Sequence, residues 1–251
     1  VLNYATAEHL GEVFTSYKVA NNHILFSALL WGWLRLFGQG NEAFLRLPCL
    51  LLALATLYLL YAHGRRLFGH AAAGLFVTLL MAFSPIYIGF YSQLRGYTLT
   101  IFLATLATIG GLNIITGKPR RGTVMFCLGA VLLPVVIPSN LMLNLSLLVF
   151  VNLALARRGK WLAHLFYQIA WVPSCLVGMG VYVPIWRKFE KVMQDTASWD
   201  SGSRVVLHWL LALAAHGGLF MAACYGLRRQ KEVRQMPEED RDRTTLDLRQ
   251  I

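Results

Sequence analysis

The run SPIYIGFYSQLRGYTL, residues 84–99, sets a single arginine, Arg95, among Tyr91, Gln93 and Tyr97. A guanidinium presents a planar fork of donors that fits a phosphate, and tyrosines can flank a lipid headgroup or a sugar. The same residues also suit a plainer role, in which Arg95 snorkels to water and the tyrosines form an aromatic belt. Arg46, in FLRLP, is a second cation at the start of an apolar run. A cation at the positive end of a helix dipole needs an anion nearby, and Glu42, one turn before it, can be that partner. Asn21-Asn22-His23 stands before another apolar run. There an asparagine can cap a helix, or Asn22 and His23 can meet sugar hydroxyls, with His23 as a polar or acid–base contact. Glu8 and Glu12, one helical turn apart, are either active-site acids or solvated loop carboxylates.

Other chemistries find no motif. No histidine pair has metal-ligand spacing with a carboxylate partner, so no metal is expected. No glycine-rich loop suits a phosphate cradle, which argues against a soluble nucleotide-sugar or ATP site, and no cofactor is expected. The formal charge of +11 comes without a C2H2 spacing or an RRM-type motif, so nucleic acid is not the expected partner. The four cysteines, Cys49, Cys127, Cys175 and Cys224, are scattered singly in apolar stretches and read as small core residues.

The elements that must position these residues are membrane helices. Charged residues make up 14% of the 251 residues and hydrophobic ones 57%, with a mean hydropathy of +0.53. A soluble domain carries about 25% charged residues, and apolar runs near twenty residues make lipid the solvent here. Basic clusters divide the runs: Arg65–Arg66; Lys118, Arg120 and Arg121; Arg157, Arg158 and Lys160; and Arg228, Arg229 and Lys231. These sum to +11 with no carboxylate, whereas the alternate loops, which hold every acid outside the tail, sum to +2. The positive-inside rule makes the first set cytoplasmic. The expected fold is all-α, a polytopic bundle of about seven transmembrane spans at 45–62, 73–91, 97–116, 122–138, 141–156, 161–185 and 205–227. Pro138-Ser139-Asn140 supplies a turn between the fourth and fifth spans. Residues 228–251, rich in mixed charge, form a cytoplasmic tail expected to be disordered.

Residues 22–37, NHILFSALLWGWLRLF, would invert every later loop if they crossed. They read instead as a helix in the outer interface, part of an extracytoplasmic region 1–44. His23, Ser27, Trp31 and Arg35 fall on one stripe of that helix. The outer side then gathers residues 1–44, the turn at 91–97, the turn at 138–140, and an outer loop at 186–204. Within the membrane, Asn140, Asn144 and Asn152 share one face of the fifth span, and His164 and Gln168 one face of the sixth. Such groups serve interhelical hydrogen bonds more often than ligands.

NNHILFSALLWGWLRLFGQGNEAFLRLP, YAHGRRLFGHAAAGL and SPIYIGFYSQLRGYTL, in that order, resemble bacterial relatives of the dolichyl-phosphate-mannose protein mannosyltransferases, polytopic glycosyltransferases of C-type fold. The likeness covers residues 21–99; beyond about residue 120 only the alternation of spans agrees. It implies a membrane enzyme that moves a sugar from a polyprenyl-phosphate donor to an acceptor hydroxyl on a glycan, lipid or protein. The reaction would take place on the extracytoplasmic face of a bacterial inner membrane. It further implies that Arg46 and Arg95 correspond to family arginines, Arg95 near the donor phosphate, and that a carboxylate in the first outer loop is the general base. The family's acidic motif should precede YATAEHLGEVF. The chain begins at Val1 without that motif, so it is expected to be a fragment lacking the first span and that acid, with Glu8 a candidate substitute. Two other classes stay open: a transporter or flippase for lipid-linked sugar, and a non-catalytic polytopic subunit. Coupled transporters carry ionisable groups at mid-membrane, and these spans have none away from their ends.

Overall fold

The structure is a computed structural model that describes residues 5–15, 23–38, 41–157, 176–188 and 191. Among these residues regular structure is helical throughout: α1 (Leu10–Thr15), α2 (Ile24–Phe37), α3 (Glu42–Phe68), α4 (Ala71–Ala82), α5 (Pro85–Ser92), α6 (Tyr97–Ile115), α7 (Pro119–Val136) and α8 (Asn140–Ala156), with a 3-10 turn at Val183–Ile185. Helices α3, α6, α7 and the stretch Pro138–Leu155 around α8 are long and apolar enough to cross a membrane. With α4 and α5 taken as one bent span the number is five. An 18-residue helix is about 27 Å long, close to the hydrocarbon thickness of a bilayer. The protein is a membrane-embedded helical bundle. The expected span 205–227, most of 161–185, most of the loop 186–204 and the tail 228–251 lie outside the described residues.

Where the helices stop follows from local chemistry. Asn41 caps α3 by accepting from the Phe44 amide at 3.0 Å, and Gly69, at φ 77°, ends it in the left-handed conformation that glycine adopts freely. The span expected at 73–91 is two helices bent by 63° rather than one rod. Pro85 has no amide proton and its ring crowds the preceding turn, which breaks the helix here. Ser84 instead starts α5, its hydroxyl accepting from the Tyr87 amide at 3.4 Å. Residues 137–139 separate α7 from α8, and the chain reverses there.

Close backbone contact holds neighbouring helices together, as expected where lipid removes the hydrophobic drive between them. Helices α6 and α7 pack antiparallel: a Cβ at Gly110 would lie 2.5 Å from the Phe126 amide nitrogen, and one at Gly129 2.6 Å from the Ala107 Cβ. Helices α3 and α4 cross at Gly64 and Gly74, where a Cβ on Gly74 would meet the Tyr61 carbonyl at 2.6 Å. Helix α6 is the most buried of the spans, and Leu99, Leu103, Ala107 and Ile115 join Phe126, Leu133, Leu147 and Val151 in the main core.

Prolines inside the bundle release carbonyls that polar side chains recover. Pro134 cannot donate to Ala130, whose carbonyl accepts from Asn144 Nδ2 at 2.9 Å. The Pro134 carbonyl accepts from the buried Tyr182 hydroxyl at 2.9 Å. Asn140 Nδ2 donates to the Leu133 carbonyl at 3.0 Å and to Thr100 Oγ1 at 3.2 Å, joining α6, α7 and α8 at one end. Asn140 and Asn144 are thus interhelical ties, as the sequence suggested. Asn152 Oδ1 is buried with no partner among the described residues.

The two ends of the bundle differ. One end carries Arg65, Arg66, Lys118, Arg120, Arg121 and Arg157 on short connections. The other carries the start of α3, the 93–96 turn and the 137–139 turn, and is covered by α1, α2 and residues 176–188. Ile24 packs with Tyr182, Ile185 and Phe14, while Phe26 enters the main core. Lys188 Nζ donates to the Thr15 carbonyl at 3.0 Å, binding two parts of the cover.

Candidate functional site

The covered end holds most of the residues singled out from the sequence. Arg46 leaves the first turns of α3, where its Nη2 donates to Glu42 Oε1 at 2.5 Å and its Nη1 to the Ser92 carbonyl. The paired arrangement with Glu42 is therefore the one adopted. Arg46 also clamps α3 to the C-terminus of α5. Cys49 Sγ donates to the Gln93 carbonyl at 3.5 Å, a second tie to the same turn. The Tyr87 hydroxyl donates to the Ala53 carbonyl at 2.8 Å and sets α5 against α3. Tyr91 lies 6.1 Å from Tyr87, edge to face.

The turn that follows is rigid where it meets α2. Gly96 caps α6 without a side-chain bond, and its missing Cβ leaves the room His23 occupies: a Cβ there would stand 2.7 Å from the His23 Cβ and 2.8 Å from its Nδ1. The imidazole meets the Tyr97 ring edge-on at 4.7 Å, and Tyr97 in turn packs on Phe90 at 4.9 Å. Sequence separation is large, so this contact joins two of the stretches first recognised separately. Arg95 and Gln93 are exposed beside it. Among the described residues no group pairs with the Arg95 side chain, in contrast to Arg46.

The helix after His23 differs from expectation in two ways. His23 itself is the N-cap of α2 and makes no capping bond; Asn22 and Asn21 lie outside the described residues. The single polar stripe is divided: His23 and Ser27 are fully buried, whereas Arg35 is exposed and, with Trp31, reaches back to α1's lead-in. Trp31 Nε1 donates to the Ala7 carbonyl at 2.9 Å, and Arg35 Nη2 to the Glu8 carbonyl at 2.8 Å. Backbone carbonyls with no helical partner draw these donors in. Glu8 is consequently fixed at the far end of α2, about 12–18 Å along the helix from His23. The structure does not bring it to the Arg95 cluster. Ser27 went unnoticed as a site residue; its place one turn after His23 was the available signal.

Burial, and then the Arg95 guanidinium beside it, push the His23 imidazole down to about 4. It is neutral near pH 7 and too weak a base to abstract a hydroxyl proton there, so its role is hydrogen bonding. The unfolded chain binds a proton with the ordinary histidine pKa of about 6.5, so stability is complete above that pH and falls as pH drops towards 4. At pH 5 the loss is about 2 kcal/mol. The native protein in detergent should melt about 4–8 °C lower at pH 5 than at pH 7.5 from this group alone. His23→Gln should remove that part of the decline; an unchanged decline in the variant would free His23 of the pH dependence.

Arg95, Gln93 and the N-terminus of α6, which has no side-chain cap, form a cluster of hydrogen-bond donors beside the neutral imidazole. Such a cluster can hold a phosphate: the guanidinium supplies charge, and the amides at a helix start point the same way. No group of three metal-binding side chains occurs among the described residues. No family model, no curated protein and no solved structure matches the chain.

Proposed function

We propose that the chain is a membrane glycosyltransferase that takes a sugar from a polyprenyl-phosphate donor at the covered, extracytoplasmic end of a bundle of about seven spans. The observation that carries this reading is the contact of His23 with Gly96 and Tyr97 beside Arg95, which is unpaired among the described residues, at the end opposite the arginine pairs. In this reaction the bond from the sugar anomeric carbon to the phosphate oxygen breaks, and a bond to the acceptor oxygen forms. Polyprenyl phosphate leaves, and the acceptor proton goes to a base. The described cluster serves the donor half of this chemistry, since it offers charge where phosphate charge develops. Its one carboxylate, Glu42, is tied to Arg46.

Orientation follows from charge. With Arg65, Arg66, Lys118, Arg120, Arg121 and Arg157 inside, the cluster faces outward and the C-terminus inward. Helix α2 then lies at the outer interface. Its C-terminal residues Leu36 and Phe37 are exposed by 79% and 60%, and apolar surface of that kind is accommodated by the acyl boundary.

Right-side-out vesicles containing the full chain, given a short-chain polyprenyl-phosphate hexose from outside, should release polyprenyl phosphate as labelled hexose appears on a membrane acceptor. Movement of intact sugar-lipid across the bilayer without that release would replace the enzyme by a transporter. Release only in inverted vesicles would reverse the orientation.

A further inference from the structure

Beside the cluster lie buried polar atoms that nothing among the described residues satisfies. His23 Nδ1, His23 Nε2 and Ser27 Oγ are inaccessible to water and have no hydrogen-bond partner among the described residues. Ser27 is a turn on from His23, its amide donating to the His23 carbonyl at 2.8 Å, so the two side chains point from the same face of α2. Leaving a buried donor or acceptor unmade costs about 1–3 kcal/mol each, and native proteins keep few such groups without a role. Three on adjacent turns, near an arginine with no partner among the described residues, mark a place where a polar ligand completes the structure.

The chemistry of these atoms narrows the ligand. A neutral imidazole donates from one nitrogen and accepts at the other, and a serine hydroxyl does both. Neither carries charge. Groups that both donate and accept are matched by hydroxyls, whereas a phosphate dianion would use only the donors and would leave one imidazole nitrogen unmet. Resting on the glycosyltransferase reading, we propose that His23 and Ser27 form the subsite for the sugar hydroxyls of the lipid-linked donor, adjoining the Arg95 subsite for its phosphate. No hydrogen bond joins the start of α2 to the 95–97 turn among the described residues. Only ring and van der Waals contacts must part to admit the sugar, while Trp31 and Arg35 keep the other end of α2 anchored.

Binding of two probes to the purified full chain separates the subsites: undecaprenyl phosphate, and the same lipid carrying mannose or glucose. The native protein should bind one of the glycosylated lipids more tightly than the bare one. Ser27→Ala should weaken binding of that lipid about three- to tenfold, the equivalent of one neutral hydrogen bond, and leave the bare lipid unchanged. His23→Leu should do the same, with His23→Gln retaining part of the preference. Arg95→Ala should weaken both lipids. Equal binding of bare and glycosylated lipids by the native protein, or variants at 23 and 27 that keep the preference or weaken both lipids alike, would overturn the sugar subsite. Arg95→Ala without effect on either lipid would instead overturn the donor-binding reading beneath it. Ser27→Ala removes one oxygen and no packing, so it keeps the test decisive where His23→Leu is unstable.

Discussion

Arg95→Ala should lower sugar transfer about 100- to 1000-fold while the protein inserts and melts as the native chain does. Both halves of that expectation follow from its surroundings. The side chain is exposed and pairs with nothing among the described residues, so the folded bundle loses no contact with it. Surface substitutions of this kind change stability by less than about 0.5 kcal/mol. The leaving phosphate, however, would lose a charge-assisted, two-pronged contact. The N-terminus of α6, capped by Gly96 without a side-chain bond, still offers amides to the anion, and so some transfer remains. Arg95→Lys keeps the charge and loses the fork, and should fall between the two. Transfer rates with reconstituted protein, read beside melting curves, make the comparison. Near-native transfer by Arg95→Ala would take the phosphate away from this turn. Arg46 would not give so clean a result, because it holds Glu42 and the Ser92 carbonyl, and its loss would disturb the fold with the site.

Arg95 and His23 stand out by residue type and spacing while their surroundings do not, for a physical reason. Apolar runs bounded by charge fix where helices lie, since a bilayer admits little else. The runs at 97–116 and 141–156 agree with α6 and α8 to within a residue, and Pro138-Ser139 does divide two helices. Alternation of those runs also sends His23 and Arg95 to one end of the bundle. Hydropathy says nothing, by contrast, about a bend between two equally apolar halves, and it passed over the break that Ser84 and Pro85 impose. Spacing puts His23 and Ser27 on one stripe of α2 but does not say what that stripe faces. His23 lies against Gly96 and Tyr97, a tertiary contact with no local periodicity. Glu8 was attractive by type alone. Its position was decided by Trp31 and Arg35 reaching for carbonyls at 7 and 8, a pairing across more than twenty residues.

The second large effect is expected far from the cluster, at Gly110. Helix α6 carries the 95–97 turn on its N-terminus, so whatever fixes α6 fixes the site. Its contact with α7 is made by backbone: a Cβ on Gly110 would sit 2.5 Å from the Phe126 nitrogen, 2.8 Å from the Gly122 carbonyl oxygen and 2.8 Å from the Phe126 Cα. None of these atoms can swing aside as a side-chain tip would. Gly110→Ala must therefore push the two helices apart, and overpacking of this kind costs about 1–3 kcal/mol. Gly110→Leu adds a branched chain between them and should leave no well-assembled bundle. Gly122 opposes it with a Cβ position 2.7 Å from the Gly110 carbonyl, so a double Gly110→Ala, Gly122→Ala change should cost more than either alone. Gly32, where a Cβ would meet nothing within 4 Å, is the control, and Gly32→Ala should melt at or above the native temperature because alanine is the better helix former. Size-exclusion profiles and melting curves of the four variants in one detergent decide the matter. If Gly110→Leu elutes and melts like the native protein, the two helices do not touch through their backbones. The placement of Arg95 and His23 on the end of α6 would then lack the support that holds it.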